Sequence, residues 1–217
     1  MSDAVKEVVR SHWDARAATF DEGPTHGLHS DEQRAAWTAR VGAWAGDGAV
    51  DALDVGCGTG FFSLLLGGLG HRPVGIDVAE SMLTLAREKA AAAGIDATFR
   101  TADAENLPFG DDSFDLVIER HVIWTLPDPA GALAEWARVL RPGGRVVLVE
   151  GVWGGSGSED YADIRASLPL YGGSPSAALS ELALANGFAS TEVEPLMDAA
   201  LWLGEPERER YALIARV

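Results

Sequence analysis

The chain has 217 residues, 47% of them hydrophobic, and a formal net charge of -16 at pH 7. That length suits one domain able to bury roughly 70% of its unfolded surface, and the composition is that of a soluble α/β protein rather than a disordered or fibrous one. So large an acidic surplus weighs against nucleic acid and anionic membranes, which need a basic face; it fits a protein kept soluble in the cytoplasm and leaves a neutral or cationic small molecule as substrate.

Val5, Val8, Val9, Trp13 and Ala17 recur at helical spacing, with Lys6, Glu7, Arg10 and Asp14 opposite, which predicts an amphipathic first helix. The polar stretch from Asp21 to His29 reads as a loop. Ser30 and Gln33 form a capping-box signature for a second helix, whose stripe of Trp37, Val41 and Trp44 ends at Gly46. For His26 and His29 in the preceding loop, substrate contact, proton transfer, metal ligation and capping of the second helix are all open, although a metal would lack a third histidine or a cysteine nearby.

The rest of the chain is arranged around Leu53-Asp54-Val55-Gly56-Cys57-Gly58-Thr59-Gly60. A buried strand ends here, alternate glycines turn the backbone and allow a ligand close to it, and a helix begins at Phe61. A dinucleotide fingerprint would place glycine where Phe61 stands and would disfavour Asp54 beside a pyrophosphate. The loop suits a cation better: a carboxylate attracts an ammonium group at about 4 Å by roughly 4 kcal/mol in an intermediate dielectric. Cys57, the only cysteine, excludes an internal disulfide and reads as a small packing residue beside the ligand.

Pro73 to Asp77 reads as a second strand, ending in a carboxylate placed either to reach a ribose or to cap the next helix. That helix carries Met82 and Leu85 and stops at Gly94; Ala97 to Thr101 makes a third strand, followed by Asp103. Phe114 to Ile118 is a fourth strand. Asp128-Pro129 opens a helix with Leu133, Trp136 and Leu140 facing the sheet, and Gly143-Gly144 turns the chain into a fifth strand, Arg145 to Glu150. This β-α succession predicts a doubly wound sheet and brings Asp54, Asp77 and Asp103 to one edge.

Beyond it, Gly151 to Gly157 reads as flexible and Glu159 to Leu170 as a short helix. Trp153, Tyr161 and Tyr171 either line a pocket or pack at the surface. Ser174-Pro175 opens a capped helix stopped by Gly187. Phe188 to Leu196 and Tyr211 to Val217 form two last strands, with Glu205 to Arg210 as a solvated charged face. No targeting leader is expected, and the apolar runs are too short and glycine-broken to cross a bilayer.

The Leu53–Gly60 segment resembles motif I of the class I S-adenosylmethionine-dependent methyltransferases. Gly75-Ile76-Asp77, Asp103-Ala104-Glu105-Asn106-Leu107-Pro108-Phe109 and Leu140-Arg141-Pro142-Gly143-Gly144 match the small-methyltransferase pattern in the same order, over about residues 50 to 150. The resemblance is to the small-molecule, type 11 or UbiE-like group. It implies a single α/β domain with a doubly wound, seven-stranded, mostly parallel sheet and a C-terminal antiparallel hairpin. Residues 1–46 are then a helical lid, 50–150 the cofactor-binding core, and 151–217 the acceptor side.

The same resemblance implies S-adenosylmethionine as cofactor, with S-adenosylhomocysteine as product. It would be held by Asp54, Gly56, Cys57, Gly58 and Gly60, with Asp77 on the ribose hydroxyls, Val78 and Met82 flanking the adenine, and Asp103 and the Ala104 N–H on its edge. Trp13 and Phe20 belong to the lid, and Arg120 and His121 to the loop along the methionine portion; Trp124 either shapes the acceptor pocket or packs. The implied activity is methyl transfer to a small-molecule nucleophile, without a metal, with His121, His26, His12 and Asp21 as candidate bases. A noncatalytic cofactor-binding subunit is the alternative, and a nicotinamide oxidoreductase a weaker one. No motif encodes the acceptor atom or the oligomeric state.

Overall fold

Strand alternation divides the apolar residues into two layers on either side of one sheet. In β1 (Asp51–Val55), Leu53 and Val55 face one layer and Ala52 the other; in β4 (Phe114–Arg120), Val117 faces the first, Leu116 and Ile118 the second. The computed structural model describes residues 2–153 and 161–217. The remaining strands are β2 (Arg72–Asp77), β3 (Thr98–Thr101), β5 (Leu140–Gly151), β6 (Ser190–Pro195) and β7 (Arg210–Arg216). They form a seven-stranded sheet in the order β3-β2-β1-β4-β5-β7-β6. β1 to β5 pair in parallel, while β7 is antiparallel to β5 and β6. The strand order reverses between β1 and β4, so their C-terminal ends open onto a crevice, the usual ligand position in such sheets.

Helices α2 (Asp31–Ala45) and α3 (Phe61–Gly68) cover one face through Trp37, Val41, Trp44, Phe62 and Leu66. On the other, α5 (Pro129–Val139) and α6 (Ser176–Ala185) bury Leu133, Trp136, Leu179 and Ala183. α4 (Glu80–Ala93) packs against β2 and β3, and α1 (Ser2–Arg16) lies over α4 at the open edge.

Several boundaries differ from the sequence expectation. Phe114 pairs with Leu140 but Leu116 with Arg145, so Arg141 to Gly144 loop out of β5 as the expected turn while the strand itself starts earlier. The helix expected over Glu159 to Leu170 is reduced to a 3-10 turn at Arg165–Ser167. Residues 154–160, which carry part of that expectation and of the flexible stretch before it, lie outside the described residues. Pro175 occupies the N-cap of α6 rather than its first turn, because Ser174 is buried and its carbonyl accepts from the Tyr211 hydroxyl at 2.8 Å.

Candidate active site

The glycine turn after β1 is shaped for close approach. Gly56 has φ +60°, and a Cβ there would lie 2.3 Å from Cγ2 of Val122; one on Gly58 would lie 3.3 Å from the Phe20 ring. At the end of β2, Asp77 closes the turn: its Oδ2 accepts from the Gly58 N–H at 2.9 Å and its Oδ1 from the Ala79 N–H at 2.9 Å. Each oxygen retains a lone pair for a further donor. Burial raises the Asp77 carboxyl to about 6 despite these backbone bonds.

A cavity of about 450 Å³ lies above this turn. One end is walled by Gly56, Gly58, Asp77, Val78, Met82, Asp103 and Ala104, and α1 and the following 3-10 turn supply Trp13 and Phe20. Phe20 stacks on His26 with centroids 4.2 Å apart and meets Trp13 edge-on at 5.7 Å. The first helix is tied down at several points. Lys6 pairs with Asp103 at 2.7 Å and also with Glu105, and the Asp14 carboxylate accepts from the Ser81 N–H at 3.0 Å, capping α4 from outside. These contacts hold the first helix against α4 and the end of β3, with Trp13 and Phe20 lining the cavity.

Four expected site residues, Asp54, Asp21, Gly60 and Cys57, are not among those that line the cavity. Asp54, expected to hold an ammonium group, is 2% exposed; its Oδ2 accepts from the Ser63 N–H at 2.8 Å and the Ser63 hydroxyl at 2.7 Å. The N-terminus of α3 presents unsatisfied N–H groups beside the strand end and captures the carboxylate. Burial raises Asp54 to about 7, opposed by the Ser63 bonds and by Arg120. Asp21, a candidate base, accepts from the Thr59 hydroxyl at 2.6 Å and pairs with Lys89, so it fastens the 3-10 turn Ala17–Glu22 to the glycine turn and to α4. Gly60 caps α3, and Cys57 is buried against Leu83, Ala86 and Phe99; burial keeps its thiol protonated. Both lie below the cavity wall, Cys57 as the packing residue its setting suggested.

The three histidine candidates His12, His26 and His121 do line the cavity. His26 Nδ1 lies 3.2 Å from the Phe20 carbonyl, which only accepts, so this nitrogen carries the proton and Nε2 is the basic one. Burial and Arg120 lower its pKa. His29 Nε2 donates to the Gly23 carbonyl at 3.0 Å, so both loop histidines brace the same turn. Arg120 donates to the His26 carbonyl at 2.5 Å and lies 3.5 Å over the Phe61 ring, joining lid, sheet and α3; burial lowers it to about 9.

The far end of the cavity is aromatic. Trp124, Trp153, Tyr161 and Tyr171 all line it, where surface packing was the stronger expectation for the last three. Trp124 meets Tyr171 at 5.9 Å and Tyr161 at 5.7 Å. His121, at φ +62°, is held by its N–H donating to the Val149 carbonyl at 3.1 Å. Its backbone is fixed from below by Glu119, whose Oε2 accepts from the Val122 N–H at 2.7 Å. Sequence reasoning missed Glu119 and Glu150, both buried at neighbouring strand ends. Burial holds both carboxyls well above the usual range; Glu119 pushes Glu150 further up, while a hydrogen bond from Glu150 favours the ionised form of Glu119. It also missed Lys6 and Arg210, which line the cavity. The only sequence signal for Lys6 was its place on the polar side of the first helix.

The Methyltransferase domain family matches residues 53–148. Among curated proteins, a demethylmenaquinone methyltransferase of Thermus thermophilus is 44% identical over 100 residues, 45% of this chain and 46% of that protein. The ubiquinone/menaquinone biosynthesis C-methyltransferase UbiE of Bdellovibrio bacteriovorus is 35% identical over 150 residues, 66% of this chain and 62% of that protein. The chain thus spans about half the length of the curated relatives it matches. Among solved structures, the [4+2]-cyclase SpnF superposes with a TM-score of 0.75 at 22% identity, covering 96% of this chain and 94% of that one. A phosphoethanolamine N-methyltransferase 2 of Haemonchus contortus, in complex with S-adenosylhomocysteine, gives 0.72 at 20% identity, covering 98% and 59%. Three of the four motifs meet at the C-terminal edge of the sheet and the fourth opens β5 at the other edge, where Arg141 pairs with Asp51 and Asp115; the segment that holds them, residues 53–148, is a methyltransferase domain similar to the class I S-adenosylmethionine-dependent enzymes.

Proposed function

We propose that this protein transfers a methyl group from S-adenosylmethionine to a small aromatic acceptor. One observation carries the reading: a single cavity runs from the Asp77 and Asp103 strand ends to an aromatic chamber, so two ligands can meet inside it. Its volume lies in the range that encloses small-molecule ligands. The donor set at the first end fits the cofactor. Asp77 retains lone pairs for ribose hydroxyls, Val78 and Met82 offer apolar walls for a purine, and Ala104 presents backbone beside Asp103. Bound S-adenosylmethionine supplies an electrophilic methyl group on sulfur.

The protein's part is positioning. The lid, tied through Lys6, Asp14 and Asp21, excludes water, and the glycine turn fixes the approach. His12, His26 through Nε2, and His121 are the cavity bases available to an acceptor that must lose a proton. Trp124, Trp153 and Tyr171 suit a planar acceptor, and the names of the curated relatives make a quinol-type molecule the favoured one.

The test is transfer of labelled methyl from S-adenosylmethionine into a small-molecule extract and into a reduced naphthoquinone, with Asp77→Ala as control. Label above control supports the reading. Cofactor binding without label in either acceptor pool would favour a noncatalytic role, and SpnF is a precedent by its printed name for a cyclase on this fold.

A further inference from the structure

Arg210 belongs to a charged run that reads as solvated, yet it is half-buried at the start of β7 and lines the cavity. Its guanidinium lies 4.0 Å from the Trp153 centroid and 5.9 Å from that of Trp202. Nη1 donates to the carbonyls of Val152 at 3.2 Å and Glu209 at 3.3 Å, and no carboxylate among the described residues forms an ion pair with it. Glu150 acts on it only at longer range, and burial pushes that carboxyl well up from its ordinary value. The positive charge therefore stands uncompensated in a protein whose net charge is -16.

Two further polar groups converge there. His121 lies 4.3 Å from Trp153 and stacks on Trp202 at 6.0 Å. His121 Nε2 and Trp153 Nε1 are buried and lack a hydrogen-bond partner among the described residues. Leaving such atoms unsatisfied costs roughly 1–3 kcal/mol each, so a bound group that meets them is favoured. A guanidinium and an indole N–H are donors only, and the imidazole beside them, lowered by burial and by the neighbouring arginines, is neutral. That set repels an ammonium group and attracts an oxygen anion.

We propose that Arg210, Trp153 and His121 form an oxyanion-binding corner of the acceptor chamber, selecting an aromatic acceptor that bears an ionised oxygen, either phenolate or carboxylate. The inference rests on the cavity being the acceptor site, and it replaces the neutral or cationic acceptor suggested by overall charge. A phenolate held here would be a more electron-rich ring or oxygen nucleophile than its neutral phenol.

Calorimetry on the intact protein, with and without S-adenosylhomocysteine, compares two matched pairs: benzoate with benzamide, and 4-nitrophenol at pH 8.5 with 4-nitroanisole. At least one anion is expected to bind about tenfold tighter than its neutral partner, as a charge-assisted hydrogen bond would give. The pair showing the preference identifies phenolate or carboxylate. Arg210→Gln should abolish that preference while leaving the affinity for S-adenosylhomocysteine unchanged. Arg210→Lys should keep part of it, and Trp153→Phe should weaken it severalfold. Equal binding within both pairs, no binding of any probe at millimolar concentration, or a preference surviving in Arg210→Gln would overturn the proposal. Failure of S-adenosylhomocysteine to bind would instead count against the methyl-transfer reading, since the pairs are also compared without it.

Discussion

Lys6 of the first helix donates to Asp103 Oδ2 at 2.7 Å, joining the lid to the acid at the tip of the third strand. Burial pulls the Lys6 pKa down, but hydrogen bonds to Asp103 and Glu105 outweigh it and hold it above the usual value. The Lys6 side chain is 21% exposed, so the pair is only partly screened, and about 1 kcal/mol is a fair value for it. Lys6→Met is therefore expected to raise the KM for S-adenosylmethionine roughly fivefold with little change in kcat. Hydrogen exchange over residues 2–16 should quicken in parallel. An unchanged KM with unchanged exchange would show that this contact does not hold the lid.

Gly56→Ala should be among the most damaging single-methyl changes in the protein. The new Cβ meets Val122 at 2.3 Å, and the φ of +60° disfavours a side chain in any case. The combined cost is about 1–3 kcal/mol. Val122 belongs to the same loop as His121, so both cofactor affinity and turnover should fall. Gly58→Ala, at φ +53°, carries similar backbone strain but meets only the movable ring of Phe20, at 3.3 Å, and should be milder. Thermal melts and S-adenosylhomocysteine titrations of the two variants check this order.

The pH dependence follows from buried carboxyls. Asp54 is raised to about 7 and Asp77 to about 6 from 3.8, and Glu119 and Glu150 are raised as well. A raised carboxyl binds more protons folded than unfolded, so its contribution is fully present below the unfolded pKa and is lost as pH rises through the folded pKa. The unliganded protein should lose stability between pH 5 and 8, on the order of 1 kcal/mol per pH unit or more. Asp51, Glu80 and Glu135 are depressed through bonds to arginines and act in the opposite sense, losing their stabilisation in acid below about pH 4. Denaturant melts should locate the optimum near pH 5, and Asp54→Asn should flatten the alkaline slope. A flat profile from pH 5 to 8 contradicts the assignment.

His121→Gly separates strain from function. Glycine tolerates the φ of +62°, so stability should hold within about 1 kcal/mol despite the lost ring contacts. Turnover should fall tenfold or more if the ring meets the acceptor. His121→Val, β-branched at a positive φ, should be clearly less stable than the glycine variant. Turnover preserved in His121→Gly would remove His121 from the acceptor site.

Much of the frame was legible because it depends on neighbours in sequence. Ser30 caps α2 as its spacing indicated, its hydroxyl accepting from the Gln33 N–H at 3.0 Å. The reciprocal arm differs by one residue, with the Gln33 side chain accepting from the His29 N–H at 2.7 Å. Asp128 and Pro129 start α5 in the same manner, with Asp128 accepting from the Gly131 N–H at 2.9 Å. Asp77 ends β2 at the cavity wall, and its Oδ1 accepts from the Ala79 N–H, so it braces the turn before α4 rather than capping the helix itself.

The sequence by itself determined the order of strands and helices, the glycine turn and the delivery of three acids to one sheet edge, since hydrophobic period, glycine positions and caps act over a few residues. Only the tertiary structure decided which of those acids faces the cavity. Asp54 turns beneath the loop because α3 offers it two donors there, whereas Asp77 remains at the wall. The same holds for Arg210. Its sequence neighbours are charged, but antiparallel pairing sets it opposite Gly151. A Cβ on Gly151 would lie 2.8 Å from Nη1, so the missing side chain leaves room for the guanidinium beside Trp153. Pairing across strands distant in sequence, which no local period encodes, put a cation at the aromatic end of the cavity of an acidic protein.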